Sequence, residues 1–147
     1  MFKNILVPLD GSKLSMKALD TAAGLSQSLG ATVTAMTVSP TYPMMVSGDG
    51  YMLDLNSPSA WEQATAKQEV KIRADAEKRA ATKGFRVKFV AITTDQPYLG
   101  IIETAKKQKC DLIVMASHGR RGISALLLGS ETTKVLTHSK IPVLVCR

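Results

Sequence analysis

The chain has 147 residues, a length typical of one domain, and we expect a single domain over residues 1–147. Apolar residues make up 45% and charged residues 21%, which excludes collagen-like, coiled-coil and largely disordered classes, and no apolar run reaches the ~18 residues of a membrane helix. The net charge is +7, and residues 61–147 hold 16 basic groups against eight acidic ones, so anionic small molecules, nucleic acid and membrane surfaces are the partners to test.

The cysteines and the first residues bear on the cell compartment. Cys110 and Cys146 lie in or beside apolar runs, and no C-x-x-C motif is present, so we expect two reduced, buried thiols. The apolar run near the start is broken by Pro8 and ends at Asp10, which is not the pattern of a secretory signal peptide. We therefore expect a cytoplasmic protein.

Apolar runs and turn residues predict that strands and helices alternate along the chain. A run of apolar residues is typical of a parallel strand covered on both faces, and a period near 3.6 is typical of a helix against a core. In chain order we predict a strand at 3–9, a helix between Ser12 and Gly30, a strand at 31–38, a helix at 59–83, a strand at 86–92, a helix from Pro97, a strand at 111–116, a helix at 130–138 and a strand at 141–146.

A long segment, residues 39–59, separates the second strand from the second helix. Its prolines and glycines predict irregular structure, and it is longer than most loops in compact domains. It is also rich in methionine and tyrosine between residues 42 and 53. A lid, a partner surface and an ordered flap all remain open for it.

The alternation predicts an α/β fold with a doubly wound, five-stranded parallel sheet. Ligands of such sheets bind beyond the carboxyl ends of the strands, which selects the residues from Pro8 to Asp10, those from Val38 to Pro40, and those from Met115 onward. In the third segment, small residues at 116, 119 and 129 precede a helix that opens at Gly129-Ser130. A helix N-terminus favours phosphate, and Arg120 and Arg121 add positive charge nearby, although Gly-Ser is also an ordinary helix cap. Asp10 is likewise either a cap for the helix after Ser12 or a ligand contact.

Several stretches resemble universal stress protein domains in matching order over the whole chain. They are residues 4–12 (Asn-Ile-Leu-Val-Pro-Leu-Asp-Gly-Ser), 111–115 leading to Ser117-His118-Gly119, 128–130 (Leu-Gly-Ser) and 141–145 (Ile-Pro-Val-Leu-Val). The ATP-binding branch of that family carries Gly, two residues, Gly, nine residues, then Gly-Ser or Gly-Thr. This chain keeps the spacing at 116, 119 and 129–130 but has Ala116 at the first position.

The resemblance implies a Rossmann-like fold of the adenine nucleotide alpha hydrolase type, strand order 3-2-1-4-5, and a site for ATP with or without Mg²⁺. It places Asp10 against the adenosine, the Val38 backbone against adenine, and Met115 and Ala116 on the ribose side. It surrounds the phosphates with Gly119, Gly129, Ser130, Glu131 and Thr132; Pro8 and Arg120 complete the candidate set. It also implies a homodimer paired through the last strand, Ile141 to Cys146.

The function indicated is that of a cytosolic ATP-binding regulator in the stress response, with a further protein partner of unknown identity. We expect no catalysis, because no Walker A motif is present and neither Asp10 nor His118 has an evident orienting partner in the sequence. The main alternative, which Ala116 and the apolar residues 42–53 motivate, is a protein-interaction module of the same fold that binds no nucleotide. Nucleic-acid binding is not expected, since the basic residues at 67–88 are interleaved with acidic ones and the chain has seven aromatic residues.

Two further classes share the alternation of strands and helices. A nucleotidyltransferase would need a second histidine near His118-Gly119. A response-regulator receiver would need an acidic cluster around Asp10 and a phosphoacceptor aspartate after the third strand, where Asp95 is only loosely placed. Both classes are weaker readings of the sequence.

Overall fold

The computed structural model describes residues 1–42, 45–46, 52–53, 57–119 and 128–147. Within these ranges the chain forms seven strands and four helices. The strands are β1 (Asn4–Pro8), β2 (Thr32–Ser39), β3 (Met45–Val46), β4 (Met52–Leu53), β5 (Val87–Thr93), β6 (Leu112–Ala116) and β7 (Val143–Cys146). The helices are α1 (Lys13–Leu29), α2 (Pro58–Lys83), α3 (Pro97–Lys107) and α4 (Ser130–His138).

Five of the strands form one parallel sheet in the order β5-β2-β1-β6-β7. Counted along the chain without the short β3–β4 pair, this order is 3-2-1-4-5, so the predicted doubly wound fold and strand order are confirmed. Strands β5 and β7 form the two edges of the sheet. The order reverses between β1 and β6, which makes that gap the topological switch point.

The sheet is covered on both faces, which explains the uninterrupted apolar runs of its central strands. Ile5 and Val7 pack with residues of α1 and α2, whereas Leu6 between them packs with residues of α3 and α4. All five residues of β6 are buried for the same reason. The carboxyl ends of β1 and β6 are thus held rigidly from both sides.

Helix α1 begins and ends where its capping residues predict. The Ser12 hydroxyl accepts a hydrogen bond from Ser15 N at 3.1 Å, and Gly30 adopts the left-handed conformation with φ 66°. Both features depend on local sequence, and both predictions are confirmed.

Part of the segment predicted to be irregular over 39–59 has regular structure. Strand β2 extends to Ser39, and β3 and β4 pair antiparallel through Met45↔Leu53 and Val46↔Met52. Helix α2 begins at Pro58 because Ser57 caps it, its hydroxyl accepting from Ala60 N at 3.2 Å. Residues 43–44, 47–51 and 54–56 of this segment lie outside the described residues, so the three roles left open for it stay predictions.

The last strand begins two residues later than predicted, at Val143 rather than Ile141. The Ile141 N–H donates to Ser139 Oγ at 3.0 Å, and Pro142 has no N–H that could donate to a neighbouring strand. The Pro142 carbonyl still accepts from Ile113 N at 2.9 Å, which guides the chain into register beside β6.

Both cysteines are free, as predicted. Cys110 is buried as expected, but Cys146 is only half-buried, because it lies on the edge strand β7. Burial raises the pKa of the Cys110 thiol to about 11, with a smaller contribution from the nearby Asp111 carboxylate. No helix in the described part of the chain is long and apolar enough to span a bilayer.

Candidate functional site

Three chain segments meet at the carboxyl end of the sheet, beside the switch point. β1 ends at Pro8, which is paired with Met36 of β2, and the next N–H, that of Leu9, donates to the Met36 carbonyl at 2.7 Å. Asp10 follows β1, and Ser117 follows β6. Val38 lies further along β2, half-buried and paired with Ile92 of β5.

Asp10 stabilises its own turn and also faces the loop after β6. Its Oδ1 accepts from Ser12 N at 2.9 Å, so it supports the turn that leads into α1, whose N-cap is Ser12 itself. Its Oδ2 would lie only 2.8 Å from a methyl group placed on Gly119. The Asp10 carboxylate and the loop after β6 are therefore in close contact. Asp10 supports the turn before α1 and also lines the candidate site.

The two motif glycines that the structure describes leave little room for a side chain, and neither has a backbone conformation that favours glycine. Neither Gly119 nor Gly129 has a positive φ, and Gly129 has φ −63°. A methyl group on Gly129 would lie 3.2 Å from His118 Cα and 3.4 Å from the Ser117 carbonyl oxygen. That carbonyl also accepts from Gly129 N at 2.7 Å, so the start of α4 is bound directly to the end of β6.

Ala116 fits its position without backbone strain. It is the last residue of β6, and among the described non-glycine residues only Lys109 has a positive φ. Alanine at the first motif position is therefore not forced into the left-handed conformation that favours glycine. The Ala116 carbonyl accepts from Thr132 Oγ1 at 3.0 Å, a second bond between β6 and α4.

The N-terminus of α4 is the best anion site among the described helices. α1 and α2 are capped by serine hydroxyls, and the first turn of α3 is occupied by the Glu131 carboxylate, which accepts from Tyr98 N. By contrast, α4 has Gly129 at its N-cap and no side chain there to cap it. The first intrahelical bond runs from Thr133 N to the Gly129 carbonyl at 2.9 Å. The N–H groups of Ser130, Glu131 and Thr132 precede it, and together with the helix dipole they favour phosphate.

The side chains of the predicted phosphate residues take three different directions. Ser130 is exposed. Glu131 turns to the neighbouring helix, where Oε2 accepts from Tyr98 N at 2.9 Å, and Oε1 pairs with Lys134 Nζ at 2.9 Å. Thr132 is buried, so it can offer a ligand only its backbone, and Met115 likewise lies in the core between the sheet and α3.

Two features of the site were not predicted. Ser117 is buried, and its hydroxyl lies 3.1 Å from His118 Nδ1, so the histidine has an orienting partner after all. The hydrogen bond that Tyr98 N donates to Glu131 joins residues 33 positions apart, and nothing in the local sequence indicates it. Arg120 and Arg121 lie outside the described residues.

An open cleft of about 370 Å³ lies elsewhere, between the end of the edge strand β5 and α3. It does not touch any of the residues predicted to bind nucleotide. Its position on an edge strand, away from the switch point, separates it from the candidate site. It is lined by Ile92, Thr93, Thr94, Gln96, Leu99, Gly100, Glu103, Thr104 and Lys107.

A doubly wound parallel sheet with an uncapped helix N-terminus at its switch point defines a Rossmann-like α/β domain. The model of the universal stress protein family matches residues 1–147, and the chain belongs to that family. Universal stress protein YxiE of Bacillus subtilis is 31% identical over 150 residues, covering 100% of both chains. Universal stress protein MJ0531 of Methanocaldococcus jannaschii is 30% identical, covering 100% of this chain and 83% of that protein.

Solved structures support the same assignment. The structure of MJ0577 superimposes with a TM-score of 0.81 at 25% identity, covering 99% of this chain and 96% of the other. A universal stress protein in complex with cAMP superimposes with a TM-score of 0.72 at 25% identity, covering 99% and 97%. Both likenesses extend over the full sheet and its helices.

Proposed function

We propose that this protein is a cytosolic adenine-nucleotide-binding regulator of the stress response, with ATP as its ligand. The observation that carries the proposal is the uncapped N-terminus of α4, which is bound to the end of β6 through Ser117, while Gly119, two residues after Ser117, lies against Asp10. The cAMP complex of a relative supports it, since that ligand shares the adenosine and a phosphate.

The proposed roles follow the position of each residue. The amides of Ser130, Glu131 and Thr132 and the exposed Ser130 hydroxyl bind phosphate, while Gly119 and Gly129 allow the backbone to approach it. Asp10 faces the adenosine. The residues that line the adenine and ribose are Pro8, Val38, Met115 and Ala116, and Arg120 adds positive charge for the phosphates.

We propose binding without catalysis. Hydrolysis needs a base within reach of the attacking water, and the two conceivable bases make hydrogen bonds with the protein's own groups, His118 with Ser117 and Asp10 with Ser12. Among the described residues no group of three or more His, Cys, Asp or Glu side chains is placed to hold a metal ion. Any Mg²⁺ would therefore arrive bound to the phosphates of the nucleotide.

We further propose that two copies pair through β7. This strand is an edge of the sheet, and Leu144 in its middle is 40% exposed, so the edge carries both open backbone groups and apolar surface. An antiparallel pairing of two such edges about a two-fold axis would cover both.

The direct test is the identity of co-purified small molecules. The protein is purified without added nucleotide and denatured, and the released compounds are separated by ion-pair chromatography with mass detection. We expect an adenine nucleotide in substoichiometric or stoichiometric amount from the native protein and much less from Gly129→Val. A matched control is Gly24→Val, because a side chain at Gly24 meets nothing within 4 Å. Equal nucleotide in all three, or none in any, would contradict the proposal.

The second candidate is an interaction module of the same fold that binds no nucleotide. Ala116 suggests this alternative, because it lies where the ATP-binding pattern has glycine. The absence of backbone strain at Ala116 weighs against it, leaving only a steric effect of the methyl group.

A further inference from the structure

Glu131 places a fixed negative charge in the first turn of α4. Its carboxylate is held at both oxygens, by Tyr98 N at 2.9 Å and by Lys134 Nζ at 2.9 Å. The side chain is 35% exposed, so water screens it only in part. The carboxylate thus faces the first turn of α3, and its charge stays within one side-chain length of the Glu131 amide, which precedes the first helical bond of α4.

Lys134 neutralises this charge incompletely. Its side chain is 48% exposed, and its Nζ also lies 5.4 Å from the centre of the Tyr98 ring. An exposed ion pair of this kind is weak and is screened by salt. A phosphate at the start of α4 therefore meets the favourable helix dipole and, in the same turn, a carboxylate of its own sign.

We propose that Glu131 is a specificity residue that lowers the preference of this site for nucleotides with several phosphates. This inference rests on the proposed function. The repulsion grows with the charge of the ligand, whereas the number of helix N-terminal amides that can donate to it stays the same. Relative to the same site without Glu131, the charge therefore favours an adenine nucleotide with a single phosphate group over one with several.

The test compares AMP, ADP and ATP in calorimetric titrations, with a chelator present to remove divalent cations. Glu131→Gln removes the charge but keeps an oxygen that can accept from Tyr98 N, and we expect its ATP affinity to rise on the order of tenfold and its AMP affinity on the order of threefold at low salt. The gain should vanish near 1 M salt, where the Debye length falls to about 3 Å. Lys134→Gln should act in the opposite direction, weakening ATP more than AMP.

Glu62→Gln is the matched control, since it removes the same charge from an exposed position on α2, across the sheet from α4. An ATP-to-AMP affinity ratio unchanged by Glu131→Gln would overturn this inference alone. Failure of the wild-type protein to bind any of the three nucleotides would overturn the proposed function with it. A purely structural role predicts that Glu131→Ala and Glu131→Gln both lower the melting temperature and weaken all three ligands equally, a result that also overturns the inference.

Discussion

Asp10 and Gly119 lie so close together that the carboxylate fills the space a side chain at residue 119 would need. A methyl group there would come within 2.8 Å of Asp10 Oδ2, well inside van der Waals contact. This contact joins the loop after β1 to the loop after β6. It explains why residue 119 is glycine although its φ is not positive.

The first prediction concerns this contact. Gly119→Ala should weaken ATP binding by at least tenfold because Asp10 or the loop must move, and it should lower the free energy of unfolding by less than about 1 kcal/mol, since residue 119 is exposed. Urea unfolding and calorimetry measure the two effects. In a double-mutant cycle, Gly119→Ala should cost much less ATP affinity in the Asp10→Ala background than in the wild-type protein. Strictly additive effects would show that the two residues do not interact.

The second prediction concerns Ala116. Because its backbone carries no strain, Ala116→Gly should change ATP affinity by less than about threefold and should destabilise the fold by roughly 0.5–1 kcal/mol, since glycine is poor in a strand. Calorimetry with ATP and urea unfolding test both parts. A gain in affinity of a hundredfold would show instead that the alanine methyl group blocks the nucleotide, which is the behaviour of the interaction-module alternative.

The third prediction is a pH dependence of stability from Asp111. Burial alone would raise the pKa of its carboxyl, but the backbone N–H groups of Asn4 and Lys3 donate to it at 2.8–3.0 Å, and the net result is a pKa below the ordinary 3.8. A lowered pKa means that the stabilisation is fully present above about pH 4 and is lost as the pH falls through the folded-state value.

Asp111→Asn should therefore destabilise the protein by about 1–2 kcal/mol at pH 7 and by clearly less near pH 2.5. Urea unfolding of both proteins at the two pH values gives the comparison. A difference in unfolding free energy that is the same at both pH values would mean that the charge of Asp111 contributes nothing.

The fourth prediction uses the buried thiol. With its pKa raised to about 11 and its side chain buried, Cys110 should react with a thiol reagent at pH 8 only as fast as the protein opens. The variant Cys146→Ser leaves Cys110 as the one thiol, and the reagent should label it at least a hundredfold faster in denaturant than in buffer. Prompt labelling of the native variant would contradict the position of Cys110 in the core.

The sequence predicted those features of the fold that depend on local signals. The Ser12 cap, the Gly30 stop and the bounds of α4 at Ser130 and His138 are confirmed, because caps are read from a few adjacent residues. The alternation of strands and helices was enough to predict a parallel sheet, since parallel strands need crossover helices. The order of the strands came from the family resemblance.

Features that depend on distant contacts or on very short elements were missed. Strands of two residues such as β3 and β4 have too few positions for a recognisable pattern. The start of β7 shifted because the Ile141 N–H is bound by Ser139, a contact that residue types alone do not reveal. At the site, the spacing indicated Gly119 and Gly129, but the direction of the Glu131 carboxylate became visible only with α3 beside α4.

The central claim is that nucleotide binds at the N-terminus of α4, and titration of ATP into the nucleotide-free protein tests it most directly. We predict a saturable isotherm with micromolar affinity for wild type and for Gly24→Val. For Gly129→Val, whose side chain must displace His118 or α4, we predict a loss of at least tenfold with the fold retained by circular dichroism. Wild-type protein that shows no binding below millimolar ATP, or a folded Gly129→Val that binds as tightly as wild type, would contradict the account.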